Sequence, residues 1–254
     1  MNLQQKYSLN KLTHDKKLCR CQSYLGTDKQ YIHSYLNSFY GPLFKYIKVP
    51  NKLLEIGIYR GASIVLWHSL FPNAEIHGVD IQMHSEMHPG FIQIQSDAEI
   101  CIKVENAYNS HTYSAGIQTF DVIIDDGPHT LESQIQALDY RSLLSDGGVL
   151  IIEDVPNIGK RLMEIKSTLP KNEWKFLTGI SFALISGRYD DSIIVFSKNV
   201  SILRWINSNI GFFSLLMGNS VLFFRLLRPL FILGKIRRYI TLKICTKSTG
   251  VYCR

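Results

Sequence analysis

Short runs of β-branched and other apolar residues alternate with helix-length segments between residues 50 and 198. That is the pattern of a largely parallel sheet covered on both faces. Lys52 to Gly57 (KLLEIG) reads as the first strand and the apolar stretch Ala62 to Phe71 as the helix after it. Glu75 to Ile81 (EIHGVDI) and Phe91 to Gln95 (FIQIQ) read as the second and third strands, followed by a helix from Ala98 to Tyr108. Phe120 to Asp125 (FDVIID) is almost wholly apolar, as suits a strand buried on both sides. A helix is expected from Leu131 to Leu144, a fifth strand from Gly148 to Val155 (GVLIIEDV), and a helix from Gly159 to Thr168.

Two further β-rich runs, Lys175 to Ile185 and Ser192 to Ser197, are joined by the turn-like SGRYDD from Ser186 to Asp191. A parallel connection needs a crossover of about a dozen residues or more, so this pair is expected to close the sheet as an antiparallel hairpin. Ahead of the sheet lie two aromatic-rich stretches, Tyr31 to Tyr40 and Phe44 to Ile47, broken by Gly41-Pro42. They read as helices lying over one end of the sheet as a lid. Nothing repeats at a period of 20 to 50 residues, which excludes solenoids and propellers. The expected organisation is a helical lid region at 1–50, an α/β domain at 51–198, and an extension at 199–254.

With 254 residues and 46% hydrophobic content the chain can bury a real core. Its formal charge of +7 is unevenly placed. Of the 28 Lys and Arg, ten lie beyond Asp191, the last acidic residue, leaving 18 against 21 acidic groups before it. The basicity therefore belongs to the extension, where it punctuates clusters such as Ile210 to Met217, Val221 to Phe224 and Pro229 to Leu233. The charge-free stretch Trp205 to Phe224 has the length of a membrane span, but its Asn and Ser residues argue against one. Two readings stay open for 199–254: a segment resting on an anionic cytoplasmic membrane face, or helices that pack on the domain or form a homo-oligomer interface. The density of Leu, Ile and Phe speaks against nucleic acid as the partner. Five cysteines with no C-x-x-C pair, and a polar start from Met1 to Lys17, fit a reduced cytoplasmic setting.

Ligands of open α/β sheets sit at the carboxyl ends of the strands, where strand order reverses. The turn after the first strand reads Glu55-Ile-Gly57-Ile-Tyr-Arg-Gly61-Ala-Ser63, an E-x-G-x-x-x-G pattern distinct from the G-x-G-x-x-G of nicotinamide enzymes. Gly57 and Gly61 let backbone approach a ligand, and the helix start beyond them offers free N–H groups. Asp80 ends the second strand, placed to accept ribose hydroxyls, and Asp97 ends the expected third strand, placed to receive an adenine amino group. The fourth strand ends Asp125-Asp126-Gly127-Pro128-His129 and the fifth ends Glu153-Asp154. Asp126, Glu153 and Asp154 would converge there, and three carboxylates suit Mg²⁺, Mn²⁺ or Ca²⁺. His129 would face the same spot. Each motif also has an ordinary structural use: Asp126-Gly127 as a turn, Asp97 and Asp154 as helix caps. Crowded carboxylates repel one another, however, unless a cation or protons compensate.

On these residues the chain resembles the metal-dependent sugar O-methyltransferases of macrolide biosynthesis, the mycinamicin and macrocin type, within the class I S-adenosylmethionine (SAM) dependent group. The matching pieces are Gly26-Thr27-Asp28-Lys29 with Tyr35, LLEIGIYRGAS (Leu53 to Ser63), Trp67, FPNAEIHGVDI (Phe71 to Ile81), FDVIIDDGPH (Phe120 to His129), Gln134 and DGGVLIIEDV (Asp146 to Val155). The resemblance covers about residues 26 to 198 and implies a Rossmann-like sheet closed by a hairpin. It implies SAM contacts at Glu55, Gly57, Asp80, Asp97 and Asp125 around the Gly61 to Ser63 helix start, metal ligands at Asp126, Glu153 and Asp154, and His129 as general base. The chain departs from the family at Pro128, where Ser is usual, and after Asp154. The implied reaction is methyl transfer from SAM to a hydroxyl of a sugar-containing acceptor, lipid-linked or polysaccharide if the extension meets a membrane. A scaffold of the same fold without catalysis is the competing reading.

Overall fold

The structure, a computed structural model, describes residues 27–210 except 32, 34, 48, 110–117 and 184–187. Among the described residues seven strands form one sheet: β1 (Lys52–Ile56), β2 (Glu75–Asp80), β3 (Ile100–Val104), β4 (Phe120–Asp125), β5 (Leu144–Ile152), β6 (Leu177–Ser181) and β7 (Ser192–Phe196). Their order is β3-β2-β1-β4-β5-β7-β6. Pairing is parallel from β3 through β5, and β7 runs antiparallel to both β5 and β6. The closing hairpin and the Rossmann-like class I methyltransferase sheet expected from the sequence are both present. Strand order reverses between β1 and β4, whose registered ends are Ile56 and Asp125.

The central strands are buried on both faces: Val122, Ile123 and Ile124 of β4 and Val149 to Ile151 of β5 have no exposure. On one face Leu66, Trp67, Phe39 and Leu43 join Phe182 and Ile202, and on the other Leu138, Tyr140 and Ile165 join Leu150 and Phe196. The first face carries the helix Ala62–Leu70 and the second the helices Leu131–Ala137 and Ile158–Ser167. The helix expected over Leu131 to Leu144 tightens into a 3₁₀ segment at Leu138–Leu143.

The third strand is where sequence and structure part. Phe91 to Gln95, expected as a strand, lies in a helix, Pro89–Ile94. The expected helix from Ala98 to Tyr108 contains β3 instead. FIQIQ alternates like a strand, but Phe91 alone of the helix is buried, while His88 caps its start by accepting the Gly90 N–H and Pro89 opens its first turn. The β-branched run Ile100 to Val104 pairs with β2 as the sheet edge.

The aromatic N-terminal segment is part of the core. Tyr35, Phe39, Tyr40, Leu43 and Phe44 are buried. The break expected at Gly41-Pro42 does not occur: a π-helical turn, Leu36–Tyr40, runs straight into the helix Gly41–Tyr46. Proline is tolerated at such a helix start, and a Cβ on Gly41 would stand 2.9 Å from the Leu36 carbonyl oxygen.

The first turns of the extension also pack on the domain. The helix Val200–Asn209 buries Ile202, Leu203 and Ile206, Trp205 stacks on Tyr46 at 4.3 Å between ring centroids, and Thr178 donates to Asn207 at 2.6 Å. The unit therefore runs to about residue 210, past the boundary expected at 199. Residues 211–254, with most of the basic clusters, lie outside the described residues. No helix among the described residues is long and apolar enough to cross a membrane.

Two outcomes follow from this packing. Gly57 has φ +82°, and a Cβ there would lie 2.3 Å from the Asp126 carbonyl oxygen. Gly57→Ala should therefore cost roughly 2–4 kcal/mol of stability in denaturant unfolding. The His88 cap works only with a neutral imidazole, and burial lowers its pKa below the ordinary 6.5. The unfolded chain then binds the proton more readily, so the cap's contribution is full above about pH 6.5 and fades as pH falls toward the folded value. Thermal unfolding followed from pH 7 downward should show this loss, worth about 1 kcal/mol, and His88→Asn, which accepts the same N–H without titrating, should remove that component.

Candidate active site

A cavity of about 420 Å³ opens at the carboxyl ends of β1, β2 and β4 beside the loop after β3. Its walls are largely apolar, with Ile56, Val79, Ile81, Ala107 and Pro128, and its polar groups include Asp80, His84, Asn106 and Asp126. Asp80 ties the β1 turn in place: its Oδ2 accepts the Ile58 and Tyr59 N–H groups, each at 2.9 Å. Gly57 lines the cavity and brings the turn against the Asp126 backbone, whose N–H bonds the Ile56 carbonyl at 2.8 Å. Gly61, at φ +79°, lets the next helix begin under the Phe91 ring, which a Cβ would meet at 2.5 Å. Asp125 is buried behind the cavity, accepts the Tyr108 hydroxyl at 2.6 Å, and has its pKa pushed up to about 7 chiefly by burial.

Beside the cavity stands a second group, Asp126, His129 and Asp154, whose ligand-type atoms all lie within 4.8 Å of one another. His129 Nε2 is 3.8 Å from Asp126 Oδ1 and 3.8 Å from Asp154 Oδ2. Both His129 (φ 58°) and Asp154 (φ 52°) hold left-handed backbone conformations. Such conformations cost non-glycine residues about 1 kcal/mol or more and persist where the surroundings over-determine them, commonly at functional sites. Burial is the main cause that raises Asp154 to about pKa 6, with the Asp126 charge adding to it against the opposing pull of His33.

Glu153 is not in that group. Its carboxylate is buried and engaged from within by the Lys29 ammonium and by the Tyr40 hydroxyl, the latter at 2.5 Å. Lys29, 1% exposed, also bridges Asp126 Oδ2 at 2.8 Å and Glu55 Oε1 at 3.3 Å. Burial works against an ammonium here, but Asp126, Glu153 and Glu55 outweigh it and hold its pKa well above the ordinary value. Burial raises Glu153 strongly, only partly offset by Lys29. The same N-terminal segment sends the Tyr35 hydroxyl to Asp154 Oδ1 at 2.8 Å, and sets His33 Nδ1 3.3 Å from both Asp154 and Asp191. Burial opposes the charge on His33 too, yet hydrogen bonds to Asp191 and Asp28 raise its pKa to about 10.

The structure thus gathers Gly57, Asp80 and Asp126 on the cavity, with Asp125 just behind it, and sets His129 and Asp154 at its flank. Glu55 and Ser63 are buried and, with Gly61, are not among the residues that line it. Asp97 is a correction: with β3 beginning at Ile100, it stands at the opposite end of that strand, 3.6 Å from His68. The residues that do follow β3, Asn106 and Tyr108, fall in the stretch whose sequence pattern predicts a helix. Glu153, expected beside Asp126 and Asp154, instead has one oxygen on the Lys29 ammonium and the other on the Tyr40 hydroxyl. Lys29 and Tyr35 stood in the matched motif without a role, and His33 and Tyr40 carried no signal beyond an aromatic-rich stretch.

No protein-family model matches the chain. It is 29% identical over 118 residues to mycinamicin VI 2''-O-methyltransferase of Micromonospora griseorubida, a match covering 41% of this chain and 27% of that enzyme. The chain thus spans little more than a quarter of the relative's length. Among solved structures, CmcI with Mg and SAM is 19% identical, with 62% of this chain and 69% of that one covered at a TM-score of 0.45. Fibrillarin of Aeropyrum pernix with S-adenosyl-L-methionine is 15% identical, covering 58% and 66% at 0.43. The SAH-bound methyltransferase PaMTH1 of Podospora anserina is 18% identical, covering 57% and 70% at 0.42. The resemblance carried by the strand-end motifs of this sequence is thus met again in the curated relative it matches.

Proposed function

We propose that this chain transfers a methyl group from SAM to a hydroxyl of a sugar-containing acceptor. The observation that carries this reading is that Asp126 belongs to both halves of the site: it lines the cavity, and its Oδ1 faces His129 in the acidic group. A nucleoside donor seated between the strand ends is thereby brought against the acidic group. The acceptor class follows the activity named for the macrolide relative.

The residues fit both partners. Apolar walls flank a purine face, and Asp80 stands at the end of β2, where an acidic side chain serves a ribose. Tyr59 and Ile81 on the rim are 59% and 69% exposed, an apolar edge that a bound ligand would cover. Asp126 and Asp154 offer the oxygens for one Mg²⁺-type ion, which accepts one or two carboxylates and completes its shell with water and substrate at about 2.1 Å per ligand. Such an ion supplies Lewis-acid stabilisation to an ionising hydroxyl, and SAM supplies the methyl group.

The chain's own residues do the rest. Asp80 and the Gly57 turn hold the donor in line with the acidic group, and orientation of this kind removes a large entropic part of the barrier. His129 Nε2 takes the hydroxyl proton, and the carboxylates on either side offset the imidazolium that forms. Should the basic, apolar residues beyond 210 rest on an anionic surface, a lipid-linked or polysaccharide sugar is the fitting acceptor.

Purified protein should bind SAM in calorimetry and methylate a glycosylated acceptor only with a divalent cation, EDTA abolishing turnover. His129→Ala should keep cation binding and lose about 10²- to 10⁴-fold in kcat. Asp126→Asn and Asp154→Asn should lose cation binding itself. Full turnover in EDTA, or no SAM binding, sinks the reading. Vesicle flotation with and without residues 211–254 tests the surface: loss of flotation on truncation is the expected result.

A further inference from the structure

We infer that the Lys29 ammonium occupies a second cation position in this site and so restricts the strand-end acids to a single divalent ion. The inference rests on the proposed cation site at Asp126 and Asp154, and concerns what lies directly behind it.

Lys29 Nζ is enclosed by three carboxylates from three different strand ends: Glu55 of β1 at 3.3 Å, Asp126 just past β4 at 2.8 Å, and Glu153 just past β5 closer still. Its fourth side is the face of Trp67, 5.9 Å to the ring centroid. The ammonium, Glu55 and Glu153 are essentially out of solvent. Three carboxylate oxygens converging on one buried point is the donor set of a hard divalent cation, and here a side chain from the N-terminal segment fills that point. Asp126 is shared: Oδ2 faces Lys29 and Oδ1 faces His129. A carboxylate bridging two adjacent cation positions is the arrangement of two-metal centres, which stabilise attacking and leaving oxygens together. Methyl transfer from a sulfonium has an oxygen only on the attacking side, so one ion suffices, and a fixed monovalent charge holds the second position.

The test is Mn²⁺ stoichiometry by EPR and calorimetry in the full chain. Wild type should bind one ion, and Lys29→Ala, which removes the ammonium and leaves the acids, should bind two, with exchange coupling between them. Without metal, Lys29→Ala should unfold at lower temperature because its buried acids have lost their counter-charge. Mn²⁺ should raise that variant's melting temperature more than it raises wild type's, a gain that loss of a structural ion pair would not give. Lys29→Ala folded yet binding no more Mn²⁺ than wild type overturns the inference and leaves the proposed function standing. No Mn²⁺ in wild type overturns the proposed cation site and this inference with it. Should Lys29→Ala fail to fold with or without Mn²⁺, Glu153→Gln decides: the inference requires that it keep the single Mn²⁺ of wild type, and loss of that ion overturns it.

Discussion

The acids at the ends of β1, β4 and β5 hold their places because one lysine reaches them from outside the sheet. Burying Glu55 and Glu153 as isolated charges would cost several kcal/mol each, and both are essentially unexposed. The ammonium of Lys29 offsets that cost and at the same time fixes where the strand ends point. It also ties residues 27–47 to the sheet more firmly than apolar contact alone would, with Tyr40 on Glu153 and Tyr35 on Asp154 repeating the attachment.

This compensation divides the acidic end into an inner and an outer part. Inside, Glu55 and Glu153 belong to Lys29, with burial raising their pKa values against its pull. Outside, Asp126 and Asp154 keep partial exposure and face His129 across 3.8 Å. Asp126 joins the two parts and also lines the cavity, so cavity, acid group and internal cation meet at one side chain. His129 and Asp154 both hold left-handed backbone, a strained geometry of the kind that collects at functional sites; Tyr35 bonds the Asp154 carboxylate and N–H.

Most of the scaffold was legible in the pattern of apolar residues. The strands β1, β4 and β5 are followed directly by Gly57, Asp126 and Glu153-Asp154, and β2 ends on Asp80; since ligands of parallel sheets gather at those ends, position in sequence singled out the candidate site. The hairpin was legible because the turn-like stretch from Ser186 to Asp191 is too short to cross over. The third strand was misread because five alternating residues also present Phe91 and Ile94 on one helical face, and the local cap at His88 decided for helix. Asp97 was lost, and Asn106 and Tyr108 missed, through that single shift.

What the sequence determined by itself was the set of acids at adjacent strand ends and the topology that makes them neighbours, because periodicity and connection length are local properties. Which of those acids are available to a ligand was decided by tertiary structure. Glu153 and Asp154 are consecutive residues, yet one is bound inside by Lys29, separated from it by 124 positions, and the other faces His129. A counter-charge that arrives from a distant segment leaves no trace in the spacing of the residues it neutralises, because the Coulomb interaction depends on distance in space and on burial.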